Sequence, residues 1–188
     1  MDDATWKLIV DTAQTVAAFA GALSAIFAGW AIRNSSKDRK NAHLLNHAKI
    51  SLERAFQALC GNTPQGSPPP HDRLGWLTAA RLIEEYTSAK KRITDKLTRQ
   101  ECESYEEHWR HQFYIRLEAI QDGPASYFTP RRQGEEIQKI SAIVVHHFAT
   151  WPHGKADPLT KYKNADDAYE KMSIHLKWLY LRLYCGRG

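Results

Sequence analysis

The apolar residues of the chain follow two different patterns. From Thr12 to Ile32 there are 21 positions without a charged residue, and ten of them are Ala or Gly. Beyond this run, large apolar residues recur at steps of three and four among polar ones. Such steps place side chains on one face of an α-helix, and no segment alternates at period two as a strand does. The sequence therefore predicts an all-α protein.

The spacing and the turn residues predict a bundle of four or five helices after the uncharged run. These are expected at residues 41–60, 72–97, 99–121, 132–150 and from 164 onward. Gly61 and a loop with four prolines end the first helix, and Asp72 and Asn164 are predicted N-caps. The residues expected to face the core are Leu45, Ala48, Leu52, Ala55, Phe56 and Leu59, then Trp76, Ala79, Ala80, Ile83, Tyr86, Ile93 and Leu97, then Tyr105, Trp109, Phe113, Leu117 and Ile120, then Ile137, Ile140, Val144 and Phe148, and finally Ala168, Met172, Leu176, Leu179 and Leu183.

The uncharged run has the length of a transmembrane helix. Twenty-one helical residues extend about 32 Å, close to the ~30 Å hydrocarbon thickness of a bilayer. Trp6 and Trp30 flank the run, as aromatic residues do at membrane interfaces. Four basic residues follow it and determine the predicted topology: Arg33, Lys37, Arg39 and Lys40. Because basic residues stay on the cytoplasmic side, we expect a single-pass protein of the bacterial inner membrane with its N-terminus outside.

The predicted domain organisation follows from this topology. Residues 1–11 are a short acidic N-terminus, 12–32 the transmembrane helix, 33–42 a basic juxtamembrane segment and 43–188 a helical cytoplasmic domain. Two alternatives compete with the membrane span. A cleaved signal peptide would have a basic start, whereas this chain begins MDDATWKLIVD. The second alternative is a soluble, Ala-rich helix buried in a bundle, because Ala and Gly contribute little to membrane insertion.

Small and large side chains are segregated around the uncharged run. Ala17, Gly21, Ala25 and Gly29 form a ladder of small residues at steps of four. Six large residues fall within an arc of about 100° on a helical wheel: Val16, Phe19, Leu23, Ile26, Phe27 and Trp30. Small residues let membrane helices approach closely, so the ladder is a predicted packing face between copies of the chain. Membrane lipid and a second copy of the protein are therefore the expected partners.

The charge of the chain lies in its body. Residues 1–32 contain Lys7 against Asp2, Asp3 and Asp11, which leaves 25 basic and 18 acidic residues, a net of +7, in 33–188. One cluster near the end of the second helix is a candidate for phosphate contacts: Lys90, Lys91, Arg92, Lys96 and Arg99. A helix C-terminus favours basic residues in any case because of the helix dipole, so a solvated surface is the alternative.

No residue pattern predicts catalysis or metal binding. The pairs His43/His47 and His108/His111 have helical spacing, but H-E-x-x-H is absent. Phosphate-loop, dinucleotide-binding and nucleophile-elbow motifs are also absent. The three cysteines are far apart, which is typical of a reducing compartment. We infer no catalytic residue, no metal, no cofactor and no small-molecule substrate, although an enzyme with an unrecognised helical site stays an alternative.

The overall plan resembles that of small membrane effectors from bacterial phage-defence operons, including retron-type ones. The resemblance lies in a short acidic start, one Ala/Gly-rich span and a small helical body, and the blocks RLGWLTAARLIEEY (73–86) and EEHWRHQFYIRL (106–117) resemble uncharacterised bacterial proteins of similar size. It implies a self-associating protein that perturbs the inner membrane when released or assembled. The alternative is a tethered adaptor whose helical domain binds a regulatory protein or a nucleoprotein.

Overall fold

All regular secondary structure in the described part of the chain is helical. The structure is a computed structural model that describes residues 3–64, 66–121, 127–128, 135–173 and 176–186, and of 3–26 the backbone only. The helices are α1 (Asp3–Cys60), α2 (Arg73–Arg92), α3 (Lys96–Gln121), α4 (Lys139–Ala149), α5 (Ala165–Met172) and α6 (Leu179–Tyr184), with a 3₁₀ turn at Pro158–Lys161. The described residues contain no β-strand, which confirms the all-α prediction.

The chain divides into two compact units, residues 1–150 and 151–188. In the first unit α2 runs antiparallel to α1. At one end of this pair, a Cβ built on Gly75 would lie only 2.5 Å from the carbonyl oxygen of Ala58. At the other end, the backbone amide of Thr94 donates to the side chain of Asn41. Glycine is needed at position 75 because the two helix backbones approach closely there.

Helices α3 and α4 complete the bundle of the first unit. α3 runs parallel to α1, since Lys49 Nζ lies 2.6 Å from Glu101 Oε1 near the start of α3. Near the end of α3, the buried Arg116 donates to the carbonyl oxygen of Ser67, in the loop that follows α1. The ring of Phe148 on α4 lies 5.2 Å from that of Phe113 and 6.0 Å from that of Tyr86. Most of the predicted stripes of the first three helices are buried or packed against this core, as expected.

The structure corrects the end of the second helix. Asp72 is its N-cap, as predicted, and accepts from the amides of Leu74 and Gly75 at 3.0 and 3.1 Å. The helix does not continue to Leu97, because Ile93 is extended and Asp95 accepts from the amide of Thr98 at 2.7 Å, which begins α3. Leu97 was predicted to be buried and is 75% exposed.

The fourth helix is shorter than predicted. It begins at Lys139, because residues 135–138 are not helical, and residues 129–134 lie outside the described part. Ile137 and Phe148 are buried as predicted, and Val144 packs against the core. The prediction for Ile140 was wrong, since its side chain is 76% exposed. Helical periodicity identified an apolar position here, but no described residue covers it.

The second unit has two short helices in place of the single long one that was predicted. Asn164 caps α5 as predicted and accepts from the amide of Asp167 at 2.9 Å. The helix ends at Met172 because Ser173 adopts a left-handed conformation with φ of 49°. Met172, Leu179 and Leu183 were predicted to be buried, but all three are exposed. So short a segment does not enclose a core, and within residues 151–186 no described side chain is buried.

Candidate functional site: the basic end of the bundle

Two basic segments that are distant in sequence meet at one end of the first unit. Asn41 is 5% exposed, and its side-chain oxygen accepts from the backbone amide of Thr94 at 3.0 Å. This bond holds the turn between α2 and α3 against α1, immediately after the basic residues 33–40. Lys91 and Arg92 precede the same turn, and Lys96 and Arg99 follow it. Both segments therefore lie at the same end of the bundle.

The charge at this end is unbalanced. Residues 33–41 and 91–99 together contain eight basic and two acidic side chains, so they account for six of the seven net positive charges of residues 33–188. We call the eight basic side chains the basic end: Arg33, Lys37, Arg39, Lys40, Lys91, Arg92, Lys96 and Arg99. All eight are exposed, and none forms an ion pair with another described residue. Like charges gathered in this way repel one another and attract anions.

Lys90 is arranged differently from the other four candidates for phosphate contact. Its Nζ lies 2.5 Å from Glu106 Oε2 and 3.7 Å from Glu103 Oε1. The ion pair joins the last turn of α2 to α3. Lys90 thus has carboxylate partners inside the bundle, whereas Lys91, Arg92, Lys96 and Arg99 point to solvent.

Glu106 is the centre of a polar network behind the basic end. Its other oxygen lies 2.5 Å from a guanidinium nitrogen of Arg110, and Arg110 also donates to the backbone carbonyls of Phe148 and Thr150 at the end of α4. Burial by itself would raise the pKa of Glu106, but Lys90, Tyr86 and Arg110 outweigh it and hold that pKa below its ordinary value. Burial raises the pKa of Tyr86, which stays protonated. The network ties α2, α3 and α4 together.

The part of α1 that precedes the basic end has uncovered apolar side chains. Trp30 is 64% exposed, and Phe27 and Ile32 are similarly exposed. A Cβ added at Gly29 would meet no atom within 4 Å. The predicted residues Trp6, Ala17, Gly21 and Ala25 lie outside the part of the chain whose side chains are described.

No helix is long and apolar enough to cross a membrane within the residues that the structure describes in full. For residues 12–26 of the predicted span, only the helical backbone is described.

The histidine pairs do not assemble into a metal site in the described ranges, where no group of three or more His, Cys, Asp or Glu side chains is placed to hold an ion. His47 Nε2 lies 2.9 Å from Glu85 Oε1, on the neighbouring helix. The ring of His108 stacks edge-on against that of Trp109 at 5.5 Å. Both histidines are therefore engaged with side chains on the surface of the bundle.

Sequence reasoning did not predict an apolar groove of about 270 Å³ between α2, α3 and α4. Its walls include Trp76, Leu117, Ile120 and Phe128, with Glu118 and His146 as ionisable residues. The groove suits an apolar group. No local pattern could have predicted it, because its walls come from three helices and from Phe128 in an irregular segment.

Comparisons with known proteins do not assign the chain. No protein-family model, no curated protein and no solved structure matches it.

Proposed function

We propose that this is a membrane-anchored helical protein whose α1 inserts residues 12–32 into the bilayer and associates there with copies of itself. The observation that carries this proposal is that the uncharged run and the α1 part of the basic end, residues 33–40, belong to one uninterrupted helix. Between Ile32 and Asn41 the helix rises only about 14 Å at 1.5 Å per residue. The bundle formed by residues 41–150 would therefore sit directly at the cytoplasmic surface of the membrane.

The exposed side chains of α1 support the anchor. Phe27, Trp30 and Ile32 are large apolar side chains exposed around the helix, and lipid would cover them. Trp30 lies two residues before the last apolar position, where the indole ring can reach the membrane interface.

The surroundings of Gly29 support self-association. A glycine inside a helix costs about 0.5–1 kcal/mol relative to alanine, so its presence calls for a reason. The single chain supplies no steric reason, because nothing lies within 4 Å of a Cβ at this position. A neighbouring copy supplies one, since small residues allow the backbones of two membrane helices to approach.

We further propose that association of the spans perturbs the inner membrane, as the resemblance to phage-defence effectors implies. An Ala/Gly-rich span is only marginally hydrophobic. Such a span is stabilised when it packs against copies of itself, so assembly and membrane damage would occur together. Growth arrest on induction is the expected cellular effect.

The test compares two substitutions on opposite sides of the same turn of α1. Gly29→Leu makes the span more hydrophobic but places a bulky side chain on the small-residue face, so we expect smaller oligomers in mild detergent and relief of growth arrest. Phe27→Leu keeps a large apolar side chain on the other face and should change neither. If Gly29→Leu leaves both oligomer size and growth arrest intact, the small-residue face does not mediate association.

The apolar groove favours a second candidate function, that of a tethered adaptor. The groove and the exposed Ile140 and Ile143 of α4 offer an apolar surface away from α1. Under this alternative, Ile143→Glu abolishes the cellular effect and Gly29→Leu does not. Under membrane self-association, the reverse holds.

A further inference from the structure

Among the described residues the side chains of the basic end have no ion-pair partner, and we infer that this end binds the anionic lipid headgroups of the leaflet from which α1 emerges. This inference rests on the proposed membrane anchor, which brings the two surfaces together. It names lipid, rather than nucleic acid, as the phosphate-bearing partner of Lys91, Arg92, Lys96 and Arg99.

Geometry is the first support. The bond between Asn41 and Thr94 fixes the turn between α2 and α3 at the level of residue 41 of α1. That level is about 14 Å from Ile32 along the helix axis, at 1.5 Å per residue. The headgroup region extends about 5–8 Å beyond the hydrocarbon, so the backbone of the turn lies within about one Debye length of the headgroups at physiological salt.

Ion pairing is the second support. Further along the bundle some basic residues have carboxylate partners, since Lys49 pairs with Glu101 and Lys90 with Glu106, and the exposed cations without one, such as Arg54 and Arg81, are scattered. The eight side chains of the basic end form no ion pair in the described part of the chain. Unpaired positive charge is thus concentrated at the one end that the anchor would hold beside the membrane. An anionic leaflet relieves its self-repulsion and attracts such clusters.

The composition of the basic end favours lipid over single-stranded nucleic acid. Proteins that bind single strands combine basic residues with aromatic side chains on which the bases stack. Residues 33–41 and 91–99 contain no aromatic residue. Headgroup binding requires charge alone, and these segments supply it.

The experiment uses the reactivity of the protein's own lysines. The full chain is reconstituted in vesicles of phosphatidylcholine, with or without phosphatidylglycerol, and treated with a membrane-impermeant amine-acylating reagent. Mass spectrometry then gives the labelling of Lys91 and Lys96 relative to Lys139, which is exposed at the start of α4. This ratio is insensitive to the fraction of protein that faces the vesicle interior.

We expect phosphatidylglycerol to slow the relative labelling of Lys91 and Lys96 by about threefold or more. The negative potential of an anionic leaflet concentrates protons about threefold at its surface, which keeps amines protonated, and direct contact adds shielding. High salt should remove the effect because it screens the surface charge.

A pair of double variants isolates the contribution of the basic end. Arg92→Gln with Arg99→Gln leaves both lysine probes in place and should remove most of the protection. Arg54→Gln with Arg81→Gln removes the same charge from exposed positions farther along α1 and α2 and should remove none. Equal loss in the two variants would mean that only net charge matters and would overturn a local site.

The remaining outcomes separate the inference from the anchor. Equal labelling in both vesicles, with the protein resistant to carbonate extraction, overturns the lipid site and leaves the anchor. Protection by phosphatidylglycerol without insertion supports the lipid site and overturns the anchor. If an RNA or DNA oligonucleotide protects the lysines of the detergent-solubilised protein and phosphatidylglycerol does not, the basic end is a nucleic-acid surface and the inference is wrong.

Discussion

Replacing Glu106 with Gln should destabilise the first unit, because it removes a carboxylate that two cations share. The side chain of Glu106 is only 14% exposed, and its two oxygens face Lys90 and Arg110. Glutamine keeps the shape and one acceptor, but it loses the charge. The two cations would then be left without their shared carboxylate in a partly buried position.

The magnitude follows from the burial of the two cations. Breaking a buried ion pair by removing one partner costs about 3–5 kcal/mol. Arg110 is 11% exposed and keeps its bonds to the carbonyls of α4, while Lys90, at 26%, can turn toward water. We therefore expect a loss near the lower limit, about 3 kcal/mol, which corresponds to a Tm lower by roughly 6–12 °C in a chain of this size.

The pH dependence provides a sharper test of the same network. Because the pKa of Glu106 is lower in the folded protein than in the unfolded chain, its contribution is complete above the unfolded pKa of about 4.3. It is lost as the pH falls through the folded pKa. The difference in unfolding free energy between wild type and Glu106→Gln should be constant near neutral pH and shrink in acid.

The assay is thermal unfolding of the full chain in mild detergent, followed by near-ultraviolet circular dichroism over a series of pH values. Glu84→Gln is the matched control, since Glu84 is exposed on α2 and should change stability by no more than about 0.5 kcal/mol. A Glu106→Gln protein as stable as this control would refute the reasoning. So would a deficit that persists undiminished in strong acid.

Three further predictions concern the packing of the first unit. Gly75→Ala should lower the free energy of unfolding, measured in urea, by about 1–3 kcal/mol, because its Cβ would lie 2.5 Å from a backbone carbonyl of α1. An unchanged free energy of unfolding would show that α1 and α2 can move apart without cost. Asn41→Ala should lower the free energy of unfolding by about 1 kcal/mol and speed hydrogen exchange at the Thr94 amide, whereas Asn41→Asp keeps the acceptor. Equal exchange in the two variants would contradict a role for the bond between Asn41 and Thr94. Burial raises the pKa of the Cys60 thiol to about 11, so it should be alkylated more slowly than Cys185 at pH 8 until the protein unfolds; equal native rates would contradict its burial.

Local chemistry explains which parts of the fold the sequence could predict. Asp72 and Asn164 could be predicted as N-caps because a cap is a local interaction: each side chain accepts from amides within three residues along the chain. The break after Arg92 was missed because Ile93 continues the apolar pattern of α2. The break is held by Asn41, which is 53 residues away from its partner Thr94, and helical periodicity does not report so distant a contact.

Exposure was the other property that periodicity could not supply. Ile140 and Leu183 occupy regular apolar positions, yet both are exposed, because a stripe indicates which face is apolar and not whether anything covers it. The sequence pattern likewise could not predict that the basic end forms. Each basic cluster was visible in the sequence, but their meeting depends on the antiparallel packing of α2 on α1 and could not be predicted from either cluster.

Membrane insertion of residues 12–32 is tested most directly by alkaline carbonate extraction of cells that express the full chain. A lysine near the centre of a transmembrane helix costs about 2.5–3.5 kcal/mol, which a span so rich in Ala and Gly cannot offset. We therefore expect the wild type and Ala42→Lys, whose lysine lies beyond the span on the same helix, to stay in the membrane pellet. Ala22→Lys, at the middle of the run, should move to the supernatant. Recovery of the wild-type protein in the supernatant, or retention of Ala22→Lys in the pellet to the same extent as wild type, would contradict insertion of this segment.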